Sequence, residues 1–118
     1  MKDSDLERIM HIKTYCDDIA QSISRFGADF EIFKNDKDYY NSVSMCIMQI
    51  GELSRGLSDD FKKKTSDKIP WGLVRSMRNM FAHTYHSMEK DTIWETATRD
   101  MPNLRLFCDE IIEDNSYL

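Results

Sequence analysis

The sequence predicts an all-α fold, an up-and-down bundle of four to five helices, on three observations. Apolar residues recur at helical spacing along nearly the whole chain, no segment alternates as a half-buried strand would, and turn formers are scarce, with 4 Gly and 2 Pro. At 118 residues the chain fits a single domain, 1–118, with one modest core.

The elements follow in order. Ser4-Asp5-Leu6-Glu7 reads as a capping box, in which Ser4 and Glu7 each satisfy an orphan backbone N–H, and predicts a first helix over about 5–25. Leu6, Ile9, Met10, Cys16, Ala20 and Ile23 form its apolar stripe, widened by Ile12 and Ile19, and Gly27 can end it in the left-handed conformation. Residues 27–35 read as a connection with Phe30 and Phe33 tucked against the core. Asn35 or Asp36 caps a second helix to about Arg55, with Tyr39, Val43, Cys46, Ile47, Ile50, Leu53 and Leu57 facing inward and Gly56 beyond its end. Gly51 lies inside that helix at a cost of about 1 kcal/mol relative to Ala, so it signals close approach of another backbone, from helix 1 or a second subunit. Ser58 caps a short basic turn over 59–64. Pro70 suits the first position of a third helix over about 70–81, because the N–H it lacks would have had no partner there. Asp91 caps a last helical region carrying Ile93, Trp94, Ala97, Met101, Leu104, Phe107, Cys108 and Ile111, which Pro102 kinks or divides.

Charge narrows the function. The net charge of −5 argues against a protein that coats nucleic acid. Residues 55–90 run the other way, with eight Lys or Arg against four acids, enough to hold a few phosphates locally. The Lys62–Lys64 run alone reads as a solvated turn. No stretch approaches the roughly 18 apolar residues that a membrane span needs, and the N-terminus is charged, which predicts a cytoplasmic protein with no membrane partner. Cys16, Cys46 and Cys108 are odd in number and far apart, and read as buried and inert.

The chemistry concentrates in Arg78-Asn79-Met80-Phe81-Ala82-His83-Thr84-Tyr85-His86. Imidazole titrates near neutrality, so His83 can take a proton from a ribose 2′-OH or give one to a leaving oxygen. The guanidinium of Arg78 can stabilise charge building on a phosphorane. In a continuous helix positions five apart differ by about 140°, so Arg78 and His83 would not share a face; a helix that ends near Ala82 lets His83 fold back so that both can touch one phosphate. Attack by the 2′-OH needs no metal or other cofactor, and two copies of His83 across a two-fold axis would supply acid and base. Arg75 and His86 are further candidates for RNA contact. Structural readings compete: Arg78 as an ion pair with a neighbouring helix, His83 as a helix C-cap, Tyr85 as a packing residue. His83 and His86 as metal ligands lack nearby Cys or carboxylate partners.

Taken together, Ile50-Gly51-Glu52-Leu53, Ile69-Pro70-Trp71, Met77-Arg78-Asn79, His83-x-Tyr85 and Trp94, over residues 6 to 112, resemble the HepT family, the HEPN-domain toxins of HepT–MntA toxin–antitoxin systems. The resemblance implies an HEPN-like dimeric bundle and a metal-independent endoribonuclease with Arg78 and His83 catalytic and Asn79 supporting. It also implies that a cognate MntA-like nucleotidyltransferase transfers AMP onto Tyr85. A bulky phosphodiester beside Arg78 would block the site and repel RNA. His86-Ser87-Met88-Glu89-Lys90 is polar where many relatives carry an aromatic residue or Gly.

A second reading is a non-catalytic helical dimer that binds a nucleotidyltransferase or a nucleotide. Both readings expect a homodimer; Met77, Met80 and Phe81 of the third helix read either as an exposed, partly apolar mating surface or as residues packed internally, a choice the sequence leaves open.

Overall fold

The computed structural model describes residues 2–84 and 90–114, with the backbone alone at 79–84. The described residues form helices α1 (Asp3–Phe26), α2 (Phe30–Asn35), α3 (Lys37–Arg55), α4 (Asp59–Lys64), α5 (Trp71–Thr84), α6 (Lys90–Glu95) and α7 (Met101–Glu113), and no strand among them. A π turn, Thr96–Asp100, joins α6 to α7. No helix among the described residues is long and apolar enough to cross a membrane.

The helices that bear the core pack in the order α5, α3, α1, α7. Side-chain contacts fix their directions. Tyr39 at the start of α3 donates its hydroxyl to the carbonyl of Gly27, just past the end of α1, while Asp5 at the start of α1 binds Ser58 beyond the end of α3. Lys13 pairs with Asp109 and Arg105 with Asp17 across α1 and α7. Both pairs of helices are therefore antiparallel. Between them Ile9, Ile12, Ile19, Val43, Ile47, Ile50, Met101 and Ile111 are fully buried, each worth roughly 1.5–3 kcal/mol of removal from water. The three cysteines are buried as expected. Desolvation pushes the thiol of Cys16 up to about 12, that of Cys46 up to about 11, and that of Cys108 further in the same direction.

The N-terminal capping box does not form. Helix α1 begins earlier, with Lys2 at its cap and no side-chain bond there. The local cap gives way to a long-range one: Asp5 is buried, and its carboxylate accepts from the Ser58 backbone N–H at 2.8 Å and from the Ser58 hydroxyl at 2.6 Å. Charge-assisted bonds inside the fold outweigh a solvent-exposed cap. Ser58 still caps α4, accepting from the N–H of Phe61.

Residues 30–35 are helical where a plain connection was expected. Asp29 caps α2 by accepting from Glu31 N–H, and the helix turns Phe33 into the interior against Tyr39, Tyr40 and Trp94. Gly27 does end α1, at φ +115°, a positive φ that side-chain-bearing residues rarely adopt. Asp36 caps α3 through Tyr39 N–H.

Pro70 stands just ahead of α5, its carbonyl accepting from Leu73 and Val74, and Trp71 is the first helical residue. The indole of Trp71 is buried and donates to Thr65 Oγ1 at 2.8 Å. Just before Pro102 the last helical region divides, as expected, into α6 and α7, with no break in the helical backbone between them. The turn before the proline widens, Met101 N–H reaching back to Thr96 O, so the helix runs on from Lys90 to Glu113. A π turn accommodates the ring and the missing donor of proline.

Candidate active site

Close approach of two helices builds this site. Gly51 lies on the face of α3 that meets α5, and a Cβ placed there would stand 2.8 Å from Cβ and 2.9 Å from N of Arg78. The neighbour that requires glycine is thus α5, neither helix 1 nor a second subunit. Hydrogen at Gly51 lets the backbone carrying Arg78 rest directly on α3.

The next residue completes the seat. Glu52 Oε2 accepts from Arg78 Nε at 2.8 Å, with the two side chains 49% and 35% exposed. The ion-pair reading of Arg78 is therefore correct as to geometry, and the partner is specific. A guanidinium has five N–H donors in a fixed fork, so engagement at Nε orients the group as well as neutralising Glu52. Sequence reasoning quoted Glu52 inside the Ile50–Leu53 segment and gave it no role. The signal was there in the interior glycine beside it.

Arg75, one turn before Arg78, is exposed on α5. The backbone of α5 stays helical through Thr84, so the helix does not end near Ala82. Positions 78 and 83 accordingly remain about 140° apart around the axis. A fold-back of His83 within one chain loses its structural premise. The side chains of Asn79 and His83, and the whole of Tyr85 and His86, lie outside the described residues. Of the expected mating surface, Met77 is partly buried and packs on the core rather than standing exposed, while the side chains of Met80 and Phe81 also lie outside the described residues. Leu73 of α5 is exposed instead.

Little of the basic middle is clustered at Arg78. Lys62 and Lys64 pair with Asp59 and Asp60 one turn away on α4, and Lys68 reaches Glu110 of α7. These are solvated surface pairs worth at most about 1 kcal/mol.

A family model described as "Ribonuclease HepT-like" matches residues 12–111, which include Gly51, Glu52, Arg78 and His83. The chain belongs to the HepT-like ribonuclease family. It is 33% identical over 98 residues to the "Probable ribonuclease HepT" of Thermococcus cleftensis, covering 79% of this chain and 88% of that relative. It is 31% identical over 103 residues to a Methanocaldococcus jannaschii protein named "Putative RNase", covering 87% and 86%. No solved structure matches it. The matched residues include both the Ile50–Leu53 and the Ile69–Trp71 segments that carry the resemblance.

Proposed function

We propose that this chain is the toxin of a toxin–antitoxin pair, a metal-independent endoribonuclease that cuts RNA through Arg78 and His83. The observation that carries the reading is the seat of Arg78: a glycine that costs helix stability and a carboxylate 2.8 Å away both serve to fix one arginine at the surface. A structural ion pair alone needs no such close approach of the two helices.

In the proposed reaction the ribose 2′-oxygen attacks the adjacent phosphorus as His83 removes its proton. The P–O5′ bond breaks, and the leaving oxygen takes a proton from a second imidazole. The products are a 2′,3′-cyclic phosphate and a free 5′-hydroxyl. Arg78 stabilises the charge that grows on the phosphorane oxygens. Separation of positions 78 and 83 around α5 favours a site shared by two copies, in which two His83 residues face each other across a two-fold axis as base and acid. Asn79 supports this site, and Arg75 and His86 extend its hold on the RNA. Neutralisation follows when an MntA-like nucleotidyltransferase transfers AMP from ATP onto the Tyr85 hydroxyl, with loss of the phenol proton and release of pyrophosphate, setting a negative phosphodiester near the phosphate site.

The test is cleavage of defined RNAs by the isolated protein in the presence of a chelator. Arg78→Ala and His83→Ala should each lower the rate by at least about 100-fold, with helical content by circular dichroism unchanged. Full cleavage by the His83→Ala protein would overturn the reading.

A further inference from the structure

The geometry points to a second phosphate-binding subsite beside Arg78, formed by Arg8 of α1 and Arg55 of α3, which takes the phosphate of a neighbouring nucleotide in single-stranded RNA. The identity of the ligand rests on the ribonuclease reading above; the site itself rests on the following observations. A cavity of about 360 Å³ opens at the C-terminal end of α3, lined by Arg8, Arg55, Gln49, Glu52 and Gly56 among others. Glu52 also holds Arg78, so this cavity adjoins the candidate active site directly.

Glycine does the same work here as at Gly51. A Cβ on Gly56 would collide with the guanidinium of Arg8, so the absent side chain makes room for a cation from another helix. The φ of Gly56 is −82°, which any residue can adopt, so backbone conformation does not explain the glycine. Gly51 and Gly56 lie about 140° apart around α3, and Glu52 and Arg55 fall in the sector between them. Glu52 therefore links the two places, lining the cavity with Arg8 and Arg55 on one side and holding Arg78 on the other.

Arg8 and Arg55 make no side-chain hydrogen bond or ion pair among the described residues, whereas Arg78, Arg99 and Arg105 do. A cation in the last turn offsets the dipole of α3, and Arg55 supplies it. Adding Arg8 to the same cavity brings a second like charge, a repulsion that a phosphate between the two would relieve. Among the described residues Glu52 contributes the one carboxylate that lines the cavity, and Arg78 pairs with it. Gln49 adds an amide donor. Fixed guanidinium forks match phosphate oxygens well, and an ammonium would serve less well.

The test is fluorescence anisotropy with a short 2′-O-methyl oligoribonucleotide, which cannot be cut, titrated at several salt concentrations. Arg8→Ala and Arg55→Ala should each weaken binding several-fold and make the slope of log K against log salt shallower by about 0.7, the value for one phosphate on a single strand. Gly56→Ala should do the same with the fold intact, because it displaces only the flexible end of Arg8. Wild-type affinity and slope in all three variants would overturn the subsite, as would loss confined to AMP or ATP binding. Cleavage of the matching 2′-hydroxyl RNA is scored separately. RNA held with this slope but never cut sinks the nuclease reading and spares the subsite. RNA cut by a protein whose slope ignores Arg8 and Arg55 sinks the subsite alone.

Discussion

Arg78 and Glu52 meet where both are still partly in water, and that limits what their contact can be for. An ion pair 35% and 49% exposed stabilises a fold by at most about 1 kcal/mol. On the proposed reaction its value lies in orientation: Glu52 would be a positioning residue for the guanidinium that meets the scissile phosphate. Glu52→Ala should therefore leave the denaturation midpoint almost unmoved and lower kcat by about 10- to 100-fold, the cost of a small misplacement at a reacting centre. Glu52→Gln keeps an acceptor and should recover most of the rate. Equal kcat in Glu52→Ala and wild type would show that the pair is only structural.

At the scale of elements, the contact between α3 and α5 depends on one missing methyl group. Alanine at 51 would gain about 1 kcal/mol of helix propensity. It would also drive a Cβ to 2.9 Å from the backbone nitrogen of Arg78, which cannot swing aside as a side-chain tip can. The clash should win, so Gly51→Ala is expected to destabilise by about 1–3 kcal/mol and to reduce RNA cleavage together with stability. Urea denaturation decides the point, and an unchanged or raised midpoint would mean that the helices separate freely. The last helix shows the opposite economy. Pro102 would break an ideal α-helix, yet one π turn absorbs it and the helix continues, keeping Met101 and Leu104 in the core on one side of it and the other.

For the molecule as a whole, three buried thiols tie stability to alkaline pH. Desolvation holds the protons of Cys16 and Cys46 to about 12 and about 11, against 9.0 for an ordinary thiol. The unfolded chain therefore loses these protons first. Their contribution is whole below pH 9 and is lost as pH rises through 9 toward 11 and 12. The unfolding free energy should fall across that window, and less steeply in Cys46→Ala. Parallel curves for the two proteins would remove the thiols as the cause. The proposed two-copy site makes a further whole-molecule prediction. In that proposal a purified heterodimer of one wild-type and one His83→Ala chain would lack either the acid or the base, so it should cut RNA far more slowly than half the wild-type rate. A rate of half or more would place a complete site in each chain.

The elements and the core were legible because helical periodicity is a local property of the chain. Tyr39, Val43, Ile47 and Ile50 on α3, and Met101, Leu104, Phe107 and Ile111 on α7, all face inward as their spacing predicts. The family was legible too, since it is carried by short segments in a fixed order. Partners in space were not legible. Nothing in the order of residues tells that Asp5 leaves the first turn to bind Ser58, that the glycine at 51 faces α5, or that the one at 56 makes room for Arg8. Sequence by itself determined the long helices and most of their buried positions, though it missed the short helix over 30–35 and placed Met10 and Ala20, both exposed, on the inner stripe of the first helix. Tertiary structure alone decided which helix lies against which, and so which carboxylate holds Arg78 and which residues share a cavity with that carboxylate, because hydrogen bonds and helix contacts between distant segments arise only once the bundle has closed.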